Sequence, residues 1–458
     1  MISLLAFSPP HQSQDDQDAW KQNWGILDGF AIVKDTEGYS LPSAIAFVPN
    51  PGDGPKDPLY FVTELRGAIK VVTNDRTVVT LIQDFFKTDP ERGLEVFQDE
   101  FGLAGICLDP EHGYIFVTYS YLGGDNKLRN SIARFETTPG TFSTRSSKMI
   151  EYKDMFRPFW TDASHQIGGC QVYDGLLYVS VGDGLNAETP PIALESLRGK
   201  VLRFTLEVEP VPENPFYREN DPDASVNYVW VTGFRNPFGL EIVDGRVFVA
   251  DNGRNLDRFL EVHRGEDYLW DGSDWSVGAA AAVTFTPSIG PAQLDYYPAG
   301  LGVLPDQFDD SFFIGMTGST TRGIVNVRYE FDTNEVNQTP QILLRYIGPV
   351  ETHYAGIVPG MAIGPDGIYF APMLEDGVET GVVYRIYYDP SDAHPFHPED
   401  INNPRALLSS LGCTGCHSID SQGGQVAPAL DYQPLVTGLQ ERLNSAEYLA
   451  FLDEIDLL

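Results

Sequence analysis

The sequence predicts an all-β protein, a six-bladed β-propeller, followed by a small α-helical segment toward the C-terminus. Two patterns carry the propeller. A short strand with an aromatic–aliphatic centre recurs six times, around Phe61, Phe116, Tyr178, Phe248, Phe313 and Tyr369, at spacings of 55, 62, 70, 65 and 56 residues. A turn precedes each of these strands, often Asp-Gly, as at Asp174-Gly175, Asp244-Gly245 and Asp366-Gly367, and another apolar strand precedes the turn. Strand, tight turn, strand is a hairpin. Six hairpins at near-equal spacing, without long helical periodicity between them, fit blades of four strands. A jelly roll or sandwich would not show the sixfold period.

In chain order, residues 1–19 read as an N-terminal extension, 20–389 as the propeller, 390–404 as a linker and 405–458 as the helical segment. The first stretch, Met1 to Phe7, is apolar but lacks a basic region and is too short for a full signal peptide. The linker is rich in Pro and Asp, and the propeller's glycines and prolines are spread as turns require. No stretch approaches the ~20 apolar residues of a membrane-crossing helix. A formal charge of −35 argues against nucleic acid or an anionic membrane as partner. No lysine follows Lys200, so an anion bound by that half must be held by arginine or backbone N–H. Cys107, in the apolar run Gly105 to Leu108, is expected to behave as a small buried hydrophobe, and pairing with Cys170 stays open.

The helical segment carries Cys413-Thr-Gly-Cys416-His417. Two cysteines separated by two residues and followed by histidine suit covalent haem c, the thiols adding to the vinyl groups and the imidazole ligating iron. A zinc site would need a fourth ligand with its own spacing, and no Cys or His follows His417. A thioredoxin-like pair would need a strand before it, whereas Pro404 to Gly412 reads as a short helix. The segment resembles class I cytochrome c. After His417 there is no Met, His, Cys or Lys. The resemblance therefore implies a segment truncated relative to that family, an open sixth position on the iron, or a ligand such as Met373 from the propeller. Haem c is attached on the outer side of the bacterial inner membrane, so a periplasmic or secreted location is expected.

In a propeller, loops at one end of the central channel converge. Ser164 to Gly169 puts His165 before a blade strand, Gly233 to Gly239 puts Arg235 at the same place in the next blade, and Ala250 to Asn255 closes that blade. Together with Gly102 to Gly105, Val179 to Gly184, Gly199 to Arg203, Arg235 to Leu240 and Gly381 to Arg385, these segments resemble the soluble quinoprotein glucose/sorbosone (aldose sugar) dehydrogenases. The resemblance runs from about Leu41 to Tyr388 and implies pyrroloquinoline quinone and calcium as cofactors. It implies His165 as general base and Arg235 as the cation that stabilises oxyanion character on the quinone. Glu100, Asn252, Arg322 and Arg385 are the further cofactor candidates, with Cys413 and Cys416 for haem, whose iron takes His417. Backbone carbonyls of Gly253 and Arg254, with Asp257, are the calcium candidates. Family members often carry proline where Arg254 stands, and the acidic pair after this turn is here Asp257-Arg258. Trp270 reads as a packed aromatic.

The chain therefore reads as a quinoprotein dehydrogenase acting on a sugar- or polyol-type hydroxyl. Electrons would pass to the fused haem and then to a cytochrome or quinone pool. The alternatives are a non-catalytic propeller that binds carbohydrate or protein, and a calcium-dependent, lactonase-like hydrolase.

Overall fold

A computed structural model describes residues 19–86, 100–122, 128–152, 164–185, 192–319, 321–336, 338–391, 418–419 and 422–423. Two strands come before the first complete blade, β1 (Trp24–Ile26) and β2 (Phe30–Tyr39). Blade 1 is β3 (Pro42–Phe47), β4 (Pro58–Glu64), β5 (Ala68–Thr73) and β6 (Val78–Ile82). Blade 2 is β7 (Leu103–Asp109), β8 (Tyr114–Leu122), β9 (Leu128–Glu136) and β10 (Lys148–Glu151). Blade 3 is β11 (Ile167–Tyr173), β12 (Leu176–Val181), β13 (Lys200–Thr205) and β14 (Val229–Thr232). Blade 4 is β15 (Gly239–Val243), β16 (Arg246–Asp251), β17 (Asp257–Val262) and β18 (Val283–Phe285). Blade 5 is β19 (Pro291–Tyr297), β20 (Ser311–Thr317), β21 (Arg322–Arg328) and β22 (Gln341–Tyr346), with β1 added outside β22. Blade 6 is β23 (Gly360–Gly364), β24 (Gly367–Ala371) and β25 (Gly381–Tyr388), and β2 supplies its outer strand.

The protein is a six-bladed β-propeller. All six marker aromatics fall on the second strand of their blade, and all are buried. Blade faces stack through such rings: Phe248 and Phe259 of blade 4 meet Phe312 and Tyr329 of blade 5. Because β2 comes from the start of the chain and β23, β24 and β25 from the end of the propeller, their pairing closes the ring. Thr36 on β2 ties that closure to blade 1 through Tyr60, which donates to Asp35 at 2.6 Å.

Cys107 is not a free hydrophobe. It lies on β7 and is bonded to Cys170 on β11, with Cα atoms 5.7 Å apart across 63 residues, so the disulfide joins the inner strands of blades 2 and 3. In the chain-entropy account a closure of this length contributes about 2–4 kcal/mol. The double substitution Cys107→Ser/Cys170→Ser should therefore lower the chemical-denaturation midpoint of the full chain. An unchanged midpoint would show that the bond adds no stability.

The topology fixes which residues can meet. Hairpin turns such as Asp174-Gly175, Asp244-Gly245 and Asp366-Gly367 close the first and second strands of the blades at one end of the ring. Residues just before each inner strand and just after each second strand therefore gather at the other end. That is the end bearing His165, Arg235 and Glu100. The C-terminal helical segment predicted for 405–458, with Cys413, Cys416 and His417, lies outside the described residues, apart from a short pairing of Ser418–Ile419 with Gln422–Gly423.

Candidate active site

At that end a cavity of about 340 Å³ opens between the blades, within the ordinary range for a small-molecule site. Its wall is largely apolar, with Leu65, Phe238, Ile357 and Met373 contributing, and its polar groups include Glu100, Asn236, Asn252 and Arg322. These residues come from blades 1, 2, 4, 5 and 6 and their connecting loops, and Ser164 brings blade 3 to the rim.

His165 follows Ser164 and is buried. Its φ of 57° places it in the left-handed region, which histidine enters more readily than most residues but still at a cost of about 1–3 kcal/mol. The cause is the turn into β11: the His165 N–H donates to Glu100 Oε2 at 3.1 Å, and its carbonyl accepts from Gly184 N–H at 3.0 Å. A Cβ at Gly182 would come within 2.5 Å of that carbonyl, so this approach requires glycine there. The ring Nδ1 lies 2.6 Å from Asp183 Oδ1.

Asp183 was not singled out from the sequence, yet it organises this corner. It also accepts from Leu185 N–H at 2.9 Å and from the Trp270 indole N–H at 3.1 Å. Burial pushes its carboxyl pKa up. The His165 hydrogen bond and charge, the Leu185 N–H and Arg235 outweigh that, and the net shift is downward. Asp183 is thus held as a carboxylate, which makes His165 Nδ1 the protonated nitrogen. Among the described residues Nε2 has no hydrogen-bond partner.

Arg235 is reached from the same corner, because Asp183 N–H donates to the Arg235 carbonyl at 2.6 Å. Its guanidinium turns toward the loop after β16, where Nη1 donates to the carbonyls of Asn252 at 3.0 Å and Gly253 at 2.6 Å. Beneath it, Asp251 accepts from the N–H groups of Arg235 and Asn236 and pairs with Arg258 Nη2 at 2.9 Å, both ion-pair side chains being wholly buried. Arg258 also donates to the carbonyls of Gly233, Tyr268, Ser276 and Val277. Ser276 and Val277 belong to a short helix, α1 (Asp274–Gly278). In the next blade, Arg322 donates to the carbonyls of Gly318 and Ala355. Its Nη2 has no partner among the described residues, and burial lowers its pKa.

A histidine–carboxylate pair and buried arginines now stand at one end of a six-bladed propeller, where Arg322 lines the cavity. The family model for glucose/sorbosone dehydrogenases matches residues 40–350 of this chain. The chain belongs to the glucose/sorbosone dehydrogenase family. It is 28% identical over 185 residues to aldose sugar dehydrogenase YliI of Escherichia coli (strain K12), a match spanning 38% of this chain and 47% of that relative. Solved structures share the fold. The PQQ-bound aldose sugar dehydrogenase from Streptomyces coelicolor aligns with a TM-score of 0.56 at 18% identity, over 79% of this chain and 99% of that one. The apo-form soluble aldose sugar dehydrogenase from Escherichia coli gives 0.57 at 17% identity, over 78% and 99%. A glucose dehydrogenase gives 0.58 at 17%, over 78% and 98%.

In this family member the structure gathers His165, Arg235, Glu100, Asn252 and Arg322 at one end of the ring. Arg385 is not among them. It sits where β25 passes the Asp366-Gly367 turn and bonds Asp366 at 2.9 Å, at the end away from the cavity. Asp257 is buried but does not face a ligand. Its two oxygens accept from Gly253 N–H, Ser288 Oγ, Ile289 N–H and Gly290 N–H at 2.6–2.8 Å, so it holds the turn instead. Burial raises its pKa to about 6 against those four donors. The Gly253 carbonyl accepts from Arg235 and Asp257 is taken up by the turn, so calcium at the Gly253 and Arg254 carbonyls stays a proposal and Asp257 is not free to join it. Among the described residues no group of three His, Cys, Asp or Glu could hold a metal. Met373 packs with Leu65 and Ile357 in the cavity wall, at the end opposite the one where β25 leaves for the linker. Trp270 is packed as expected, but its indole is also a hydrogen-bond donor to the site.

Proposed function

We propose that this chain is a quinoprotein dehydrogenase that oxidises a sugar- or polyol-type hydroxyl with pyrroloquinoline quinone seated in the 340 Å³ cavity. The observation that carries the reading is the His165–Asp183 pair, next to the cavity-lining Ser164, at the end of the ring where the buried Arg322 lines the same cavity. The wall fits a flat acidic ring system, with apolar faces from Phe238, Ile357 and Met373 and a cation from Arg322 for a carboxylate. Asn252 also lines the cavity, and Arg235 donates to its carbonyl at 3.0 Å. When bound, the quinone would supply the two-electron, hydride-accepting chemistry. The chain's own part is proton handling and positioning. Asp183 keeps the proton of His165 on Nδ1, and the Nε2 lone pair takes the proton of the substrate hydroxyl. The Arg235 guanidinium is a fixed positive charge where oxyanion character develops.

The test is reconstitution of the full chain with pyrroloquinoline quinone and a screen of aldoses, polyols and simple alcohols with an artificial electron acceptor. His165→Ala should lower turnover by roughly 10²–10⁴-fold while cofactor binding changes little. Equal turnover in the two proteins would remove His165 from the chemistry.

Fusion to a haem c segment remains part of the proposal and rests on the spacing of Cys413, Cys416 and His417. β25 leaves the propeller at the end away from the cavity. Intramolecular transfer therefore needs the linker at 390–404 to carry the haem around the ring; fifteen residues span at most about 50 Å. A periplasmic or secreted location is supported by the Cys107–Cys170 disulfide, which an oxidising compartment favours. The electron acceptor beyond the haem is proposed to be a cytochrome or the quinone pool.

A further inference from the structure

Three donors converge on the Asp183 carboxylate: His165 Nδ1 and Leu185 N–H on Oδ1, and Trp270 Nε1–H on Oδ2. A backbone N–H and an indole N–H can only donate. Any rearrangement that turned a donor of residue 183 toward either would set N–H against N–H. We propose that Trp270 is a positioning residue for the proton transfer at His165. By occupying Oδ2 it fixes the rotation of the Asp183 carboxylate, so Oδ1 stays on Nδ1–H and the imidazole offers Nε2 as the base. The role of His165 rests on the dehydrogenase reading; the geometry does not.

The path by which Trp270 arrives supports a specific purpose. Trp270 is not on blade 3, where Asp183 lies, but follows β17 of blade 4 in a loop folded back alongside Thr232 and Gly233. Tyr268 N–H donates to the Thr232 carbonyl at 2.8 Å and Trp270 N–H to the Gly233 carbonyl at 3.1 Å. Gly233 has a φ of 94°, and a Cβ there would come within 2.2 Å of Asp267 Oδ1. Leu269 takes a φ of 67° although its side chain is 55% exposed, so its own burial does not repay the strain. What the left-handed residue delivers is the next one, Trp270, which is 4% exposed with its indole N–H on the carboxylate. Arg258 anchors the same loop through the Tyr268 carbonyl at 2.9 Å.

The test uses the full chain with position 270 changed to phenylalanine and, separately, to benzothienylalanine, which keeps the bicyclic shape but lacks the N–H. Losing the donor frees Oδ2, so the Asp183 carboxylate can turn and no longer fixes the imidazole against Oδ1. Turnover should fall about 10-fold through looser orientation, with KM for the aldose and cofactor binding unchanged. The other charged groups around the pair are Glu100 at the His165 N–H, Arg198 near the Asp183 carbonyl, and Arg235. None is altered by these substitutions. A second readout needs no turnover: ¹⁵N-imidazole NMR, with His165 assigned by His165→Gln. It should show the Nδ1–H tautomer in the parent, and a mixture of tautomers in the benzothienylalanine protein. Parent turnover and tautomer preserved in that protein would overturn the positioning role and leave Trp270 as a packed ring. An inactive parent chain that still shows the tautomer change would sink the dehydrogenase reading while supporting the inference.

Discussion

Asp183→Asn should lower turnover on the order of 10³–10⁴-fold, the scale seen when the carboxylate behind a catalytic histidine is replaced by its amide. An amide cannot satisfy the three donors that meet at this position. With its oxygen toward His165 and Leu185, its NH₂ faces the Trp270 N–H. With the amide reversed, the NH₂ faces Leu185 N–H and His165 Nδ1, which must then give up its proton to Nε2 and lose the base. Both orientations remove the negative charge that favours the imidazolium. Side-chain volume barely changes, so cofactor binding should persist and the loss should appear in kcat. Comparable turnover in the parent and Asp183→Asn would show that the 2.6 Å contact to His165 has no part in catalysis.

Arg258→Met is expected to destabilise the propeller by about 3–5 kcal/mol, the usual consequence of removing one partner of a buried ion pair. The substitution strands Asp251, a wholly buried carboxylate, and takes the donor from the carbonyls of Gly233, Tyr268, Ser276 and Val277. Arg258→Lys should recover little, because one ammonium cannot reach oxygens spread over a guanidinium fork. The deficit has a pH signature. Burial already raises the Asp251 pKa, chiefly opposed by Arg258, and without that arginine the pKa rises further. A carboxyl with a raised folded-state pKa binds its proton more tightly in the native state. Its contribution is therefore favourable at low pH and is lost as pH rises through the folded pKa. The gap between parent and Arg258→Met should widen from acid to neutral pH in denaturant titrations. A gap near zero at every pH would mean that the pair is not what holds the Arg235 loop.

The propeller was legible because its signal is distributed: six aromatic centres and repeated Asp-Gly turns mark the second strand of every blade, and no single residue has to be interpreted correctly. The site was legible only in part. His165, Arg235, Glu100, Asn252 and Arg322 stood at loop positions that the blade pattern brings to one end. Asp183 was hidden by a register shift. Counting pairs back from the Asp174-Gly175 turn places His165 opposite Gly184, but the irregularity between Ile167 and Cys170 moves the pairing by one residue, onto Asp183. Arg385 was misplaced because spacing alone does not say at which end of a strand a side chain lies; its pairing with Tyr369, near the Asp366-Gly367 turn, decides that. The structural use of Asp257 was hidden because three of its four partners lie 31–33 positions further on, at Ser288, Ile289 and Gly290. The disulfide had a readable sign. Cys107 pairs with the marker Phe116, and Cys170 pairs beside the marker Tyr178, so the two cysteines stand at matching heights in consecutive blades. Trp270 had none, since its approach depends on the backbone of Gly233 and Leu269.

The most direct test of the central claim is anaerobic single turnover. The full chain is loaded with pyrroloquinoline quinone and mixed with an excess of aldose, and reduction of the quinone is followed by its absorbance in the parent and in His165→Ala. The dehydrogenase reading predicts stoichiometric quinone binding to both proteins, fast reduction in the parent, and reduction slowed by roughly 10²–10⁴-fold in the variant. Failure of the parent to bind the quinone, or equal reduction rates in the two proteins, would contradict it.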